Sequence, residues 1–499
     1  MQLLIKIFRW LKNPGEKLSR RVIHGGFWVF AIRIFRRLFG LLKIIVLARL
    51  LAPEDFGLFG IAMLALSTVQ SLSRTGFNQA IIQKREDTIP YLNTAWTVGL
   101  ARNFLLTLVL FFAAPLVGTF FSEPRAVLLI RVLSFTVFLN GLKNIGVIFF
   151  RKRLQFHKQF IYQSVDIVVN IAVTIPLAFI LRSAWALVYG ALAGKAVQLL
   201  LSYIIHPYRP RLGLDFEKAR EMYDFGKWVY GSTVLFFIAL NIDDIFAGKL
   251  LGAAALGIYQ LSFRISNSMA TEITNVMSQV TFPAFSKIQE NIQALKRAFK
   301  NTLEASVSIG APMAAGIFLL APDFVHVVLE PKWEPMIPIL RIMAIAGLIR
   351  SIIASGGPLF NSVGKPRMNF LMNLLRVAVI CVFIYPLTMS FGLIGTAVTV
   401  LIGLSLTAIL WLRFISNTIE SGYRPIFKVL SFSMVGAIIM DLAIIGIKSL
   451  LPTMNLPLLF AVIFAGITVY MLYSIFIKML YDEGPISSLA KILNYARGK

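Results

Sequence analysis

Long apolar runs alternate with short polar breaks along the whole chain. The runs fall at 22–48, 58–80, 92–113, 126–150, 161–181, 186–205, 227–249, 257–282, 302–321, 335–360, 369–388, 393–415, 428–447 and 457–477. A membrane-spanning helix uses ~20 predominantly apolar residues, so the pattern predicts fourteen transmembrane helices. The runs are continuously apolar and do not alternate in polarity, which excludes a transmembrane barrel. Proline and glycine mark the joints, as in Leu-Ala-Pro-Glu-Asp at 51–55, Arg-Pro at 209–210 and Gly-Lys-Pro at 364–366.

The runs form two related sets. Shifted by 200 residues, Gly26 and Trp28-Val29 meet Gly226 and Trp228-Val229, Arg49-Leu50-Leu51 meets Lys249-Leu250-Leu251, and Gly57 and Gln79 meet Gly257 and Gln279. A duplicated six-helix unit follows, and an even number of helices makes the two copies parallel about an axis along the membrane normal. The expected organisation is a surface segment at 1–21, a first lobe at 22–205, a linker at 206–226 read as a short amphipathic helix, a second lobe at 227–415, two further helices within 428–477 and a tail at 478–499. The fold class is all-α and polytopic. Residues 1–21 lack a small-residue cleavage site and read as an amphipathic piece on the inner membrane surface.

Composition sharpens this. Of 499 residues, 58% are hydrophobic and 14% charged. A soluble chain carries near 25% charged residues, so several soluble domains are excluded. The net charge is +26, with 49 Lys and Arg against 23 Asp and Glu. In a soluble protein that excess points to nucleic acid; here the membrane accounts for it. With the amino terminus inside, the cytoplasmic segments hold 28 basic residues and the outer ones four, Arg125, Arg182, Lys332 and Lys448. That asymmetry places both termini in the cytoplasm. The outer loops are short, the longest being 322–336. The single Cys381 excludes disulfides within the chain, and His24, His157, His206 and His326 show no metal-ligand spacing.

Seventeen basic residues remain inside the apolar runs against six acids, Asp166, Asp243, Asp244, Glu272, Glu304 and Asp441. Arg33, Arg36, Arg37 and Lys43 lie on one ~120° arc of the first helix. A charge at the bilayer centre costs ~2.5–3.5 kcal/mol on insertion scales. Four on one face indicate either the wall of a cationic cavity or a pairing with lipid phosphates near one surface. Arg74, Arg102, Arg131, Lys143, Lys195, Arg264, Arg341, Arg350 and Arg376 add to the excess. Each one reads equally as a snorkelling or helix-capping residue or as a ligand contact, while together they point to an anion, for which arginine offers a planar fork. Arg264 joins the first-helix cations as a candidate substrate contact. Asp243 and Asp244 are adjacent within the seventh span, with Lys43 opposite Asp243 at the 200-residue shift. They read either as an ion-coupling pair or as partners of a basic residue in the opposite lobe. Enzyme signatures are absent: the sequence has no phosphate-binding Gly-rich loop with Lys-Ser/Thr, no ordered Ser/His/Asp set and no metal cluster, and no cofactor is expected. The run RKRLQFHKQF at 151–160 fits a membrane-surface helix better than a nucleic-acid site.

Several ordered stretches resemble one family. LARLLAPEDFGLFGIAMLALSTVQSLSRTGFNQAIIQKRED (47–87) is similar to the opening helices of Wzx-type repeat-unit flippases, the polysaccharide-specific transporters of the multidrug/oligosaccharidyl-lipid/polysaccharide superfamily, in the colanic-acid and lipopolysaccharide-biosynthesis branch. The resemblance continues through FFSEPRAVLLIRVLSFTVFLNGLKNIGVIFFRKRLQF (120–156), NIDDIFAGKLLGAAALGIYQLSFRI (241–265), FPAFSKIQ (282–289), WEPMIPILRIMAIAGLIRSI (333–352) and GKPRMNF (364–370). It covers nearly the whole chain.

The resemblance implies a two-lobed, fourteen-helix transporter in a bacterial inner membrane. It implies movement of an undecaprenyl-pyrophosphate-linked oligosaccharide to the outer leaflet for exopolysaccharide or lipopolysaccharide synthesis, beside polymerase and export machinery. In related flippases first-helix arginines grip the pyrophosphate, and by position these are Arg33, Arg36 and Arg37. Two rival classes are a multidrug antiporter of the same fold, whose cationic drugs want an acidic cavity, and a membrane polymerase or ligase, which wants a larger outer loop.

Overall fold

The computed structural model describes residues 18–73, 89–152, 155–451 and 453–481. Most of 1–21, 82–91 and 478–499 therefore lies outside the described residues. Every regular element among the described residues is helical. In chain order the helices of seven residues or more are α1 (Leu18–Leu50), α2 (Pro53–Leu72), α3 (Ile89–Phe121), α4 (Arg125–Leu142), α5 (Phe156–Leu181), α6 (Trp185–Ile205), α7 (Phe216–Ile288), α8 (Ile292–Phe324), α9 (Met336–Ile353), the short α10 (Gly356–Ser362), α11 (Pro366–Thr418), α12 (Arg424–Ser449) and α13 (Leu456–Tyr481). Two of them are broken: α7 leaves helical geometry at Gly252 (φ 83°) and α11 at Gly392 (φ 57°). With each counted as two arms, the described residues hold fourteen long helices, as the apolar runs predict. Among the described residues, and with α7 and α11 each counted once, eleven helices are long and apolar enough to cross a membrane. Helix α1 is long enough too, but Arg33, Arg36, Arg37 and Lys43 interrupt its apolar sequence.

The chain divides into two compact units, one of Met1–Ile238 with Gly252–Ala254 and one of Ala239–Leu251 with Ala255–Lys499. In the first, α1 packs on α5, α2 on α4, α3 on α4, α4 on α6, and α5 on α6. In the second, α8 packs on α9 and α9 on α11, repeating the α3–α4 and α4–α6 pairs, while α12 covers α8 and α13 covers α12.

The repeat reaches individual contacts. A Cβ added to Gly141 of α4 would come within 2.8 Å of Asn103 Cβ of α3. In the second unit the glycine sits on the other helix, and a Cβ on Gly310 of α8 would meet Ser351 Oγ of α9 at 2.3 Å. The positions correspond at shifts of 207 and 210 residues. Turns fall at corresponding places as well: Ser122 (φ 57°) with Glu330 (φ 157°), and Arg182 (φ 44°) with Gly392 (φ 57°), all at positive φ. At the first hairpin the two copies differ. Between α1 and α2 the corner is made by Pro53 at the first helical turn and by Asp55, whose carboxylate accepts from Ala52 N at 3.1 Å and from Ala184 N at 2.9 Å. The matching corner in α7 is made by glycine, which enters the left-handed region without a steric penalty.

Apolar side chains close each unit. Leu47, Leu51, Ala178, Ala186 and Leu187 pack where α1, α5 and α6 meet. In the second unit Trp411, Phe299, Phe285 and Phe360 anchor a larger core.

The linker departs from its expected form. Residues 206–215 are irregular, and helix begins only at Phe216. Pro207 and Pro210 lack the N–H a helix needs and restrict the residues before them. Side chains of α3 replace the missing helical bonds: Asn93 Oδ1 accepts from Arg211 N at 3.0 Å, Thr97 Oγ1 from Gly213 N at 3.0 Å, and Thr94 Oγ1 from Asp215 N at 3.2 Å. Asn144 donates to the carbonyls of His206 and Tyr208. The linker is thus strapped to the first unit.

Candidate functional site

In the first unit the polar residues of α1, α4, α5 and α6 join into one seam. Arg36 and Lys43 are seven residues apart on α1, so they lie two turns apart on one face. Gln163 and Asn170 have the same spacing on α5. The two pairs meet: Arg36 donates to Gln163 Oε1 at 2.9 Å and Lys43 to Asn170 Oδ1. Asp166 lies between the two amides on α5 and accepts from Lys195 of α6 at 2.6 Å. Lys143, just past α4, donates to Gln198 Oε1 of α6 and to Asn140. Gln198 in turn donates to Tyr162 O at 3.3 Å.

Small residues let these helices approach. A Cβ at Gly190 would lie 1.9 Å from Thr174 Oγ1, and one at Gly194 2.7 Å from Asp166 Oδ1 and 2.9 Å from its carbonyl oxygen. Close approach through glycine is how helices pack without a hydrophobic drive between them. Gly194→Val must push α6 off α5, a cost of about 1–3 kcal/mol. The expected result is a lower melting temperature of the purified protein together with loss of activity.

The charge of this seam is its main chemical property. The bonded set joins the basic residues Arg36, Lys43, Lys143 and Lys195 with the carboxylate of Asp166. The amide oxygens that accept from Arg36 and Lys43 are themselves neutral. Arg36 is exposed, and Arg33 and Arg37 are half-buried on the same helix. The arrangement suits an anion.

The second unit holds the paired carboxylates. Asp243 is 5% exposed and accepts from Tyr259 Oη at 2.7 Å, and Tyr259 is fully buried. Asp244 accepts from Gln260 Nε2 at 3.2 Å. The cations in electrostatic range of Asp243 are Arg350 and Arg376, and for Asp244 the cation is Arg264. Arg350 also donates to Asn267 and stands over the Phe263 ring at 5.3 Å. All belong to the same unit as the carboxylates, whereas the sequence suggested a partner in the other lobe.

Other span cations have local duties. Arg102 Nε donates to Ser73 O at 2.5 Å and its Nη2 to Gln70 O at 3.2 Å, closing the carboxyl end of α2. Arg131 and Arg341 bond backbone carbonyls of the preceding helices. Arg74 and the side chain of Glu272 lie outside the described residues. Sequence reading overlooked Gln163, Asn170, Gln198 and Tyr259. The heptad match between Arg36/Lys43 and Gln163/Asn170 was the available signal. Among the described residues no group of three His, Cys, Asp or Glu is arranged to hold a metal.

Comparison with known proteins adds an independent view. The family model described as Polysaccharide biosynthesis protein matches residues 46–338. The chain is 25% identical over 421 residues to the lipopolysaccharide biosynthesis protein WzxC of Escherichia coli strain K12, covering 83% of each chain. It is 21% identical over 331 residues to the succinoglycan biosynthesis transport protein ExoT of Rhizobium meliloti strain 1021, covering 66% of this chain and 67% of that one. Among solved structures, the lipid II flippase MurJ in an inward closed conformation aligns with a TM-score of 0.72 at 15% identity, over 92% of this chain and 99% of that one. An inward-facing multidrug resistance MATE family transporter of the MOP superfamily aligns with a TM-score of 0.62 at 18% identity, over 79% and 98%. At these identities the structural likeness speaks for the fold.

Proposed function

The chain belongs to the polysaccharide biosynthesis protein family, and from that premise we propose that it is a Wzx-type flippase for undecaprenyl-pyrophosphate-linked oligosaccharides. The names of its relatives, a lipopolysaccharide biosynthesis protein and a succinoglycan transport protein, support a lipid-linked sugar as cargo and transport as the activity. The observation that carries the reading is the gathering of cations in the first unit, where Arg36 and Lys43 of one helix meet Gln163 and Asn170 of another beside Lys195. Arg33, Arg36, Arg37 and Lys43, with Arg264, bind the pyrophosphate in a cationic central cavity. The sugar follows the headgroup while the prenyl chain stays in the bilayer, and access alternates by movement of the two lobes. No bond is made or broken in this cycle, so the protein is not an enzyme. A drug antiporter would want acids where this chain places cations.

The test is direct. Purified protein in liposomes is given a fluorescent undecaprenyl-pyrophosphate oligosaccharide in one leaflet, and transfer to the other is followed by quenching. Transfer well above protein-free liposomes is expected. Equal rates, with the protein folded, overturn the proposal.

We also propose a bacterial inner-membrane location with both termini in the cytoplasm, beside polymerase and export machinery. In a variant lacking Cys381, single cysteines within 151–160 and 286–300 should resist an impermeant thiol reagent in intact cells, while those within 322–336 should react. Labelling of 151–160 reverses the orientation. Cys381 is exposed and must be removed first.

A further inference from the structure

Two arginines outside the proposed anion site make the same contact, once in each unit. Helix α3 contains Pro115 and α8 contains Pro322. Proline has no N–H, so the carbonyl four residues earlier loses its helical donor. Those carbonyls belong to Phe111 and Phe318, in the segments Phe111-Phe-Ala-Ala-Pro115 and Phe318-Leu-Leu-Ala-Pro322. In both units the next helix supplies a substitute. Arg131 Nε of α4 donates to Phe111 O at 3.4 Å, and Arg341 Nε of α9 donates to Phe318 O at 3.2 Å. Each guanidinium also stands over the ring of the same phenylalanine, at 5.1 Å and 5.5 Å. The first bond is long for N–H···O, but the donor is charged and the cation–π contact adds to it.

The coincidence is hard to attribute to membrane-surface snorkelling. An arginine reaching for phosphate has no reason to choose a carbonyl that a proline has orphaned, and here two do. The phenylalanine and proline recur at a shift of 207 residues and the arginine at 210, the same shifts that relate Asn103 to Gly310 and Gly141 to Ser351 on these helices.

We propose that each proline, phenylalanine and arginine set is a plugged hinge, repeated in the two units. Proline opens the helix at one carbonyl, and the neighbouring arginine closes the opening. A backbone donor cannot leave without unwinding the helix, whereas a side chain can let go and return. Helices α3 and α8 therefore bend at this level in step with α4 and α9, without exposing a bare carbonyl to lipid. The hinge goes beyond the substrate assignment, since each set is complete within its own unit. Its use during transport rests on the flippase reading.

Thermal stability of the purified full-length protein tests the plug without any substrate. Arg131→Met should lower the melting temperature by about 2–4 °C. In a Pro115→Ala background the backbone regains its donor, and the same substitution should cost less than half as much. Arg341→Met with Pro322→Ala should behave alike. Losses that simply add in both cycles overturn the plug. The combined Pro115→Ala/Pro322→Ala variant then tests the hinge: with stability kept or raised, transport at least about tenfold slower is expected, and wild-type transport overturns the hinge. If the wild-type protein itself moves no lipid-linked sugar in that assay, the functional proposal fails, and the stability cycles still decide the plug.

Discussion

The triple variant Arg33→Ala/Arg36→Ala/Arg37→Ala should reach the membrane at the wild-type level and move no measurable lipid-linked oligosaccharide. A hydrogen bond to a charged group contributes about 1.5–3 kcal/mol. Losing two contacts to pyrophosphate weakens binding by about 100-fold or more. The structural cost is smaller. Arg36 is exposed, so the lost bond to Gln163 is worth about 0.5–1.5 kcal/mol, and any contacts given up by Arg33 and Arg37 are offset by the easier insertion of a helix with fewer cations. Binding and stability therefore separate. Arg36→Lys refines the reading, because it keeps the charge and loses the bidentate fork. A partial defect in Arg36→Lys beside a complete one in the triple variant fits phosphate recognition. Normal polymer export by the triple variant at normal expression removes these arginines from the site.

How far the molecule was legible in its sequence depends on the kind of residue. The helices were legible because a span needs a run of fixed length, and a run of that length leaves an unmistakable trace. The repeat was legible over 26–79, where no gap intervenes. Further along, α3 and α4 correspond to α8 and α9 at shifts near 210, so a single shift of 200 could not show it. The linker was misread because its basic and apolar residues have helical spacing, while Pro207 and Pro210 deny the helix its donors. The cationic face of α1 stood out because charges in lipid are expensive. Its partners did not, since one glutamine or asparagine in an apolar helix is unremarkable until a second helix is laid against it. Gln163 and Asn170 became meaningful only beside Arg36 and Lys43. Arg102 was open to either reading, a ligand contact or the cap of a helix end, and only the structure shows that it closes the end of α2.

The same distinction bears on Asp243, and it gives the second large effect. Asp243→Asn should lower the melting temperature sharply at every pH and take transport with it. Asparagine keeps the shape and can still accept from Tyr259 Oη, so what disappears is the negative charge. That charge stands buried in range of Arg350 and Arg376. Losing a buried charge that offsets theirs costs at most what a broken buried ion pair costs, about 3–5 kcal/mol. The sign of the double variant then decides the cause. If Asp243 serves to balance Arg350, Asp243→Asn/Arg350→Met should recover part of the stability lost by Asp243→Asn alone, although Arg350→Met also gives up the bond to Asn267. Tyr259→Phe should cost less, about 1.5–3 kcal/mol, since it removes one donor to a charged acceptor and leaves the ions in place. An ion-coupling carboxylate behaves otherwise: Asp243→Asn would keep its melting temperature, and turnover would lose its dependence on pH or sodium. Asp244, bonded to Gln260 and near Arg264, provides the internal comparison. Being less buried than Asp243, it should give the smaller stability loss of the two. A stable Asp243→Asn variant with altered pH dependence would return the pair to ion coupling and leave Arg350 and Arg376 to be explained by the substrate.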